Sequence, residues 1–360
     1  MLNIKNVTAY GTNAKHEVLK KMMIPRRQLR ETDVELEILY CGICHSDLHQ
    51  IHDDFGHTMW PVVPGHEIVG RITAIGAKVS KFSVGDLAAI GCIVDSCGTC
   101  EYCQHDIEQF CEEGTTFSFN TPDRYMDGQQ TYGGFSQFYV CDEKYVLKMP
   151  KFQNLAAAAP LLCAGITVYS PMKHWGVGPN KKVGILGIGG LGHIAIKIAK
   201  ALGAEVTVFT TSASKVTDAK RLGADHAVLS TDAEQMNAYL KKLDFILDTV
   251  SAKHDINPYL NLLAWNGSVV LVGLPPEPFE VGAFNLVYGS RSFSGSNIGG
   301  IDETQVMLDF CFENNIVADV EMIEIQDVNQ AFDRLKKGDV KYHFVIDMQS
   351  LSKESTSSFI

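Results

Sequence analysis

The 360-residue chain has no uninterrupted apolar run long enough to cross a bilayer and no excess of basic residues. Its longest apolar stretch, Leu155 to Tyr169, falls short of the roughly 20 residues a spanning helix needs and is broken by Pro160. Lysine and arginine total 31 against 42 aspartates and glutamates, for a formal net charge of −11. Binding to a phosphate backbone needs a basic face, so nucleic acid is excluded as the expected partner. Met1 to Val18 mix Asn, Lys, His and Glu and offer no apolar signal-peptide core, so no membrane or export route is expected and the protein is placed in the cytoplasm. Disorder is excluded as well, because hydrophobic residues make up 46% and charged residues 20%. The length suits about two domains.

Ten cysteines are present, and a reducing compartment disfavours disulfides, so clustered cysteines point to metal or catalysis. Cys97, Cys100, Cys103 and Cys111 lie in one short span with x2, x2 and x7 spacers. Zn²⁺ prefers tetrahedral thiolates, and four cysteines leave it no open position, so this site is expected to fix a loop and not to catalyse. The same spacing occurs in ferredoxins, but no second cluster motif or Cys-Pro follows. Cys41, Cys92, Cys141 and Cys311 read as ordinary small apolar side chains.

The first 150 residues read as short strands, Val34 to Tyr40, Ile68 to Ile75 and Phe135 to Cys141 among them, punctuated by glycine and proline turns. After Pro150 strand and helix alternate. Val183 to Leu186, Val206 to Phe209, Ala227 to Leu229, Phe245 to Leu247 and Ser268 to Val272 are strands. His193 to Leu202, Ser212 to Leu222 and Asn257 to Leu263 are helices. Such alternation predicts a doubly wound parallel sheet with helices on both faces. Helices at Asp302 to Glu313 and Val328 to Lys337 and a strand at His343 to Met348 follow, and this tail is expected to return to the first domain.

Cys44-His45-Ser46-Asp47-Leu48-His49 precedes Gly65-His66-Glu67. With Cys163 these segments offer Cys, His and Cys ligands and leave a fourth zinc position open, as a catalytic metal requires. Ser46 carries a hydroxyl that both donates and accepts, and His49 is the residue type that exchanges protons with solvent near neutral pH. Asp47 can orient His66, and Glu67 adjoins that ligand.

Gly187-Ile188-Gly189-Gly190-Leu191-Gly192 sits where a predicted strand gives way to a helix, a context that suits a dinucleotide pyrophosphate. An NAD site places a carboxylate about 20 residues further on. Here Val208 to Lys215 contains none. Thr210, Thr211 and Ser212 can instead donate to a 2′-phosphate that Lys215 neutralises, although Thr211 or Ser212 can equally serve as a helix cap.

In their order along the chain, Gly65-His66-Glu67, the four-cysteine loop, Cys163-Ala164-Gly165 and the Gly187 fingerprint resemble the zinc-containing medium-chain alcohol dehydrogenases. Through Cys41-Gly42-Ile43-Cys44-His45-Ser46-Asp47 and Leu162 to Tyr169, the chain is most similar to their cinnamyl-alcohol-dehydrogenase type. The resemblance implies a GroES-like, β-rich catalytic domain (1–151, with 296–360 returning to it) and a Rossmann NADP-binding domain (152–295). It implies a catalytic zinc on Cys44, His66 and Cys163 with Glu67 as a transient or outer ligand, and a second, structural zinc. Thr167 would contact the nicotinamide side, while Thr249, Gly273, Ser296, Asn297 and Ile298 would line the cofactor. A proton path through Ser46, the cofactor ribose and His49, and a homodimer, are implied too. The expected activity is zinc- and NADP-dependent interconversion of a primary alcohol and its aldehyde. Phe117, Trp60, Cys92 and Ile298 would give an apolar, partly aromatic substrate pocket. The acidic run Asp106 to Gln109 is expected to stay clear of the metal ligands.

Overall fold

The computed structural model describes residues 4–353. Two compact units emerge: one takes the chain up to Cys163 and again from Gly299, and the other is Ala164–Ile298. The first boundary, expected after residue 151, therefore falls later. The reason is the 3-10 segment Ala156–Leu162, whose buried alanines and leucines pack on strands of the first unit. The second boundary moves from 295/296 to 298/299.

The first unit is built around the strand Asp33–Ile43, where Val34, Leu36 and Ile38 alternate into the core as a half-buried strand demands. It pairs antiparallel with Ile68–Ile75 on one side and with His343–Asp347 on the other. His343–Asp347 lies parallel to Val320–Glu324, so the tail returns to this sheet as expected. Phe138–Asp142 pairs with the same central strand, and a separate hairpin joins Ile4–Gly11 to Lys20–Arg27. Neither hairpin strand was predicted, because lysines and methionines hide the alternation.

The second unit holds six parallel strands in the spatial order His226–Leu229, Glu205–Thr210, Lys182–Leu186, Leu243–Asp248, Leu263–Leu271, Ser292–Gly295. Strand order reverses between Lys182–Leu186 and Leu243–Asp248, and a doubly wound sheet opens its ligand crevice at that switch point. Leu186, Phe209, Leu243, Ile246 and Val269 form the buried heart of this unit. Truncating a residue so enclosed costs about 2–5 kcal/mol. The helix expected over 257–263 ends at Leu260, because Leu262 turns inward and its carbonyl bonds the backbone of Leu243. Leu155 to Tyr169, read from sequence only as an apolar run, becomes the 3-10 segment and then the start of the helix Ala164–His174.

Candidate metal centres and cofactor site

Cys44 caps the helix His45–Ile51, its sulfur facing the backbone N–H of Ser46 at 3.5 Å. Asp47, fully buried, ties this helix to the His66 loop. Its Oδ2 accepts from the backbone N–H of Cys44 at 2.9 Å, and its Oδ1 accepts from Gly65 N–H at 2.9 Å and faces His66 Nδ1 at 3.1 Å. That contact fixes the ring and directs Nε2 elsewhere. The 3-10 segment delivers Cys163, whose Sγ lies 3.8 Å from that of Cys44. The ligand atoms of Cys44, His66, Glu67 and Cys163, all buried, sit within 4.8 Å of one another.

This donor set fits a zinc ion. Two sulfurs about 2.3 Å from a tetrahedral centre stand about 3.8 Å apart, which is the spacing found. Hydrogen bonding to Cys163, and then burial, hold the Cys44 thiol well above its ordinary pKa, so paired thiolates here need a cation. Glu67 Oε1 is buried without a hydrogen-bond partner, whereas Oε2 meets His343 Nε2 at 2.7 Å. Burial opposes charge on His343, but Glu67 outweighs it and raises the imidazole pKa. Gly42 is what lets Glu67 in: a Cβ there would fall 1.8 Å from Oε2.

Cys97, Cys100, Cys103 and Cys111 also bring their sulfurs within 4.8 Å of one another, with Cys97 and Cys103 at 3.8 Å. Backbone N–H groups of Thr99 and Cys100 point at Cys97 Sγ and pull its thiol down to about 6, a poise suited to a thiolate ligand. Burial instead pushes Cys103 up to about 12. All ten cysteines are free of disulfides. Of the acidic run, Glu108 is buried and accepts from the backbone N–H of Ile301 at 3.1 Å, so it docks this lobe on the helix Ile301–Glu313.

In the second unit Gly187 turns with φ +85° at the end of Lys182–Leu186, and the helix Gly190–Ala201 starts from Gly189. No heavy atom lies within 4 Å of where a Gly189 Cβ would stand, leaving room for a pyrophosphate at the helix N-terminus. Ile188 is buried, and its carbonyl accepts from Lys215 Nζ at 3.1 Å, which brings the lysine to the fingerprint. Leu191 is half-buried, and Gly192 packs under the Gly187 carbonyl, 2.2 Å from where its Cβ would sit. Thr210 is buried with its oxygen accepting from Ser212 N–H, while Thr211 is exposed. Ser212 occupies the N-cap of Ala213–Arg221, but its hydroxyl meets Ser214 and makes no cap bond. Thr249 Oγ1 donates to Leu186 C=O at 2.6 Å, and Gly273 faces Val250 C=O. Ser296 N–H bonds Leu271 C=O, Asn297 is exposed, and Ile298 takes φ +36°. Thr167 is buried in the helix Ala164–His174.

Four features escaped the sequence reading. Phe119, and not the exposed Phe117, stacks on His66, with centroids 5.8 Å apart; the short strand Thr116–Phe117 turns residue 117 outward. Cys92 is only half-buried, and its Sγ faces Leu162 C=O at 4.0 Å, next in the chain to Cys163. Asp54 faces His49 Nδ1 at 2.8 Å, and His343 holds Glu67. Except for His49 and Asp54, which lie five residues apart, these contacts join segments distant in the chain, where no local pattern marks them.

Residues 30–151 match the family described as alcohol dehydrogenase GroES-like domain, and 190–313 the family described as zinc-binding dehydrogenase. The chain is 51% identical to the aldehyde reductase YahK of Escherichia coli strain K12 over 354 residues, which is 98% of this chain and all of that one. A cinnamyl alcohol dehydrogenase structure from Sorghum bicolor superposes with a TM-score of 0.94 at 43% identity, covering 98% of this chain and 100% of that one. The structure of CAD from Helicobacter pylori complexed with NADP(H) gives 0.91 at 39% identity, over 96% and 99% of the two chains. Among the described residues, no helix is long and apolar enough to cross a membrane.

Proposed function

The chain belongs to the zinc-type alcohol dehydrogenases, and from that membership we propose that it interconverts a primary, aromatic or otherwise apolar alcohol and its aldehyde with NADP(H). The observation that carries this reading is the buried Cys44, His66, Glu67 and Cys163 donor cluster, with Phe119 laid against its histidine. Zinc held there supplies Lewis acidity, and NADP(H) supplies or accepts the hydride. We assign a second zinc to Cys97, Cys100, Cys103 and Cys111. Cys44, His66 and Cys163 would hold the first zinc, with Glu67 beside them, while Phe119 shields one side of the cluster from water.

Ser46 and His49 stand three residues apart on one helix and so share a face. Ser46 Oγ would accept the hydroxyl proton while passing its own on through the cofactor ribose toward His49. His49 Nδ1 donates to Asp54, which leaves Nε2 as the atom that receives the proton and returns it to solvent. Replacing His49 with Gln should therefore slow alcohol oxidation most at low pH, where hydroxide is scarce, and added imidazole should restore part of the rate. An unchanged pH–rate profile removes His49 from the path.

Thr167, Gly187 to Gly192, Thr249, Gly273 and Ser296 to Ile298 are assigned to the dinucleotide, and Thr210, Thr211, Ser212 and Lys215 to its 2′-phosphate. With NADPH as donor, aldehyde reduction is the favoured direction. Initial rates for aromatic, aliphatic and polyol substrates with NADPH test the substrate class. A kcat/KM highest for a polyol would overturn it.

A homodimer is supported by the second unit's edge strand Ser292–Gly295, which among the described residues pairs on one side only. Trp265, Phe284, Val287 and Tyr288 stand 71 to 83% exposed, the kind of apolar surface that a partner copy covers. Two copies meeting edge to edge across a twofold axis would cover both. Val287→Asp with Tyr288→Lys should convert the dimer to monomer in light scattering. A monomeric wild type would end this reading.

A further inference from the structure

The loop 249–254 leaves the strand Leu243–Asp248 at the point where strand order reverses, and beyond Thr249 none of it has been given a role above. It nevertheless lies against two glycines of the cofactor site. Val250 Cγ2 would stand 3.1 Å from a Gly187 Cβ, and Val250 C=O 2.5 Å from a Gly273 Cβ. What holds the loop there is a buried carboxylate. Asp248, fully buried, accepts from Val250 N–H at 3.0 Å through Oδ1 and faces His254 Nε2 at 2.9 Å through Oδ2. The other ring nitrogen of His254, Nδ1, faces Ala252 C=O at 2.9 Å. Phe279 closes one flank of the ring edge-on at 5.2 Å, and Tyr259 another at 6.3 Å.

Both ring nitrogens thus face acceptors, and only an imidazolium donates from both at once. A neutral ring gives up one of the two bonds: protonated at Nδ1 it strands the buried Asp248 carboxylate, which is costly, and protonated at Nε2 it releases the exposed Ala252 C=O and with it that part of the loop. We propose that His254 is a positioning residue for the dinucleotide: its doubly donating ring ties the loop 249–254 to Asp248 and so keeps Val250 seated against Gly187 and Gly273. The proposal rests on the cofactor reading of the fingerprint, but not on which dinucleotide is used.

The charges around the ring favour the imidazolium. Asp248 and Asp255 are acidic; Lys253, on the exposed side of the loop, is paired with Glu277; Tyr259 and Phe279 present rings. The Asp248 bond raises the His254 pKa above the ordinary histidine value, against the pull of burial. A raised pKa means that the clamp is complete at low pH and weakens as pH climbs through it.

Binding of NADH and NADPH to the whole zinc-loaded protein, followed by nicotinamide fluorescence from about pH 6 to about 9, tests this. NADH is the cleaner probe, since it has no titrating 2′-phosphate. In the wild type the Kd for NADH should rise with pH. His254→Gln should weaken both nucleotides about tenfold at the low end and flatten the profile, with unchanged zinc content. Asp248→Asn should flatten the profile in the same way, and it decides the matter if the glutamine variant misfolds. Wild-type affinity in either variant, or a pH profile that survives both substitutions, overturns the proposal. So does loss of NADPH binding alone, which would implicate the 2′-phosphate site. Equal binding of NADH and NADPH would instead count against the NADP assignment and leave the clamp readable.

Discussion

Cys163→Ala should abolish turnover, remove one of two zinc ions per chain and leave NADPH binding nearly intact. Cys163 Sγ stands 3.8 Å from Cys44 Sγ, the edge of one tetrahedron. Without it the cluster keeps one thiolate, one imidazole and a carboxylate, a weaker set for zinc. A metal that polarises a reacting oxygen is worth several kcal/mol, so losing about 4 kcal/mol slows the reaction roughly a thousandfold. Nucleotide binding is spared because the fingerprint belongs to the other unit. Cys92 Sγ faces the carbonyl of Leu162, the neighbour of Cys163, and could step in, so Cys92→Ala in the same background closes that route. Cys103→Ala gives the contrast: the lobe that docks through Glu108 should lose its metal and lower the melting temperature. Metal analysis beside initial rates decides. A tenth of wild-type activity in Cys163→Ala would remove that sulfur from the catalytic centre.

What could be read from the sequence was whatever is encoded at short range. The strand–glycine–helix passage through Gly187 needs only adjacent residues, as does the alternation that marks Ile68–Ile75. The cysteine spacing needs only fifteen positions. What could not be read depends on partners distant in the chain. His343 meets Glu67 because the returning tail pairs with Asp33–Ile43, a register that no local pattern specifies. Phe119 reaches His66, and Phe117 does not, because the strand Thr116–Phe117 ends at residue 117, so the two-residue alternation that would put both rings on one face does not carry on to 119. Glu108 read only as part of an acidic run clear of the metal ligands, because its burial depends on a helix that begins nearly two hundred residues later.

Thr211→Asp combined with Lys215→Ala should weaken NADPH strongly and NADH little. The strand Glu205–Thr210 ends without a carboxylate, so nothing there accepts from a free ribose 2′-hydroxyl as an NAD site requires. Lys215 Nζ rests 3.1 Å from Ile188 C=O, inside the fingerprint turn, where its charge can meet a phosphate on the neighbouring ribose. Ser212, freed from capping, and the exposed Thr211 supply hydroxyl donors, whereas Thr210 is buried with its oxygen engaged by Ser212 N–H. Residue 211 is therefore the place for a carboxylate: it repels a 2′-phosphate without burying a charge in the strand. A charge-assisted hydrogen bond contributes roughly 1.5–3 kcal/mol, so losing the lysine alone should raise the Kd for NADPH about ten- to a hundredfold. The added carboxylate deepens that loss, while NADH, lacking the phosphate, keeps its fingerprint contacts. Raising ionic strength should narrow the gap between the two nucleotides in the wild type, since the lysine–phosphate contact is a charge pair that salt screens. Parallel titrations with both nucleotides give the ratio directly. A wild type that binds NADH as tightly as NADPH, or a double variant that keeps its preference for NADPH, would mean that the 2′-phosphate is read elsewhere.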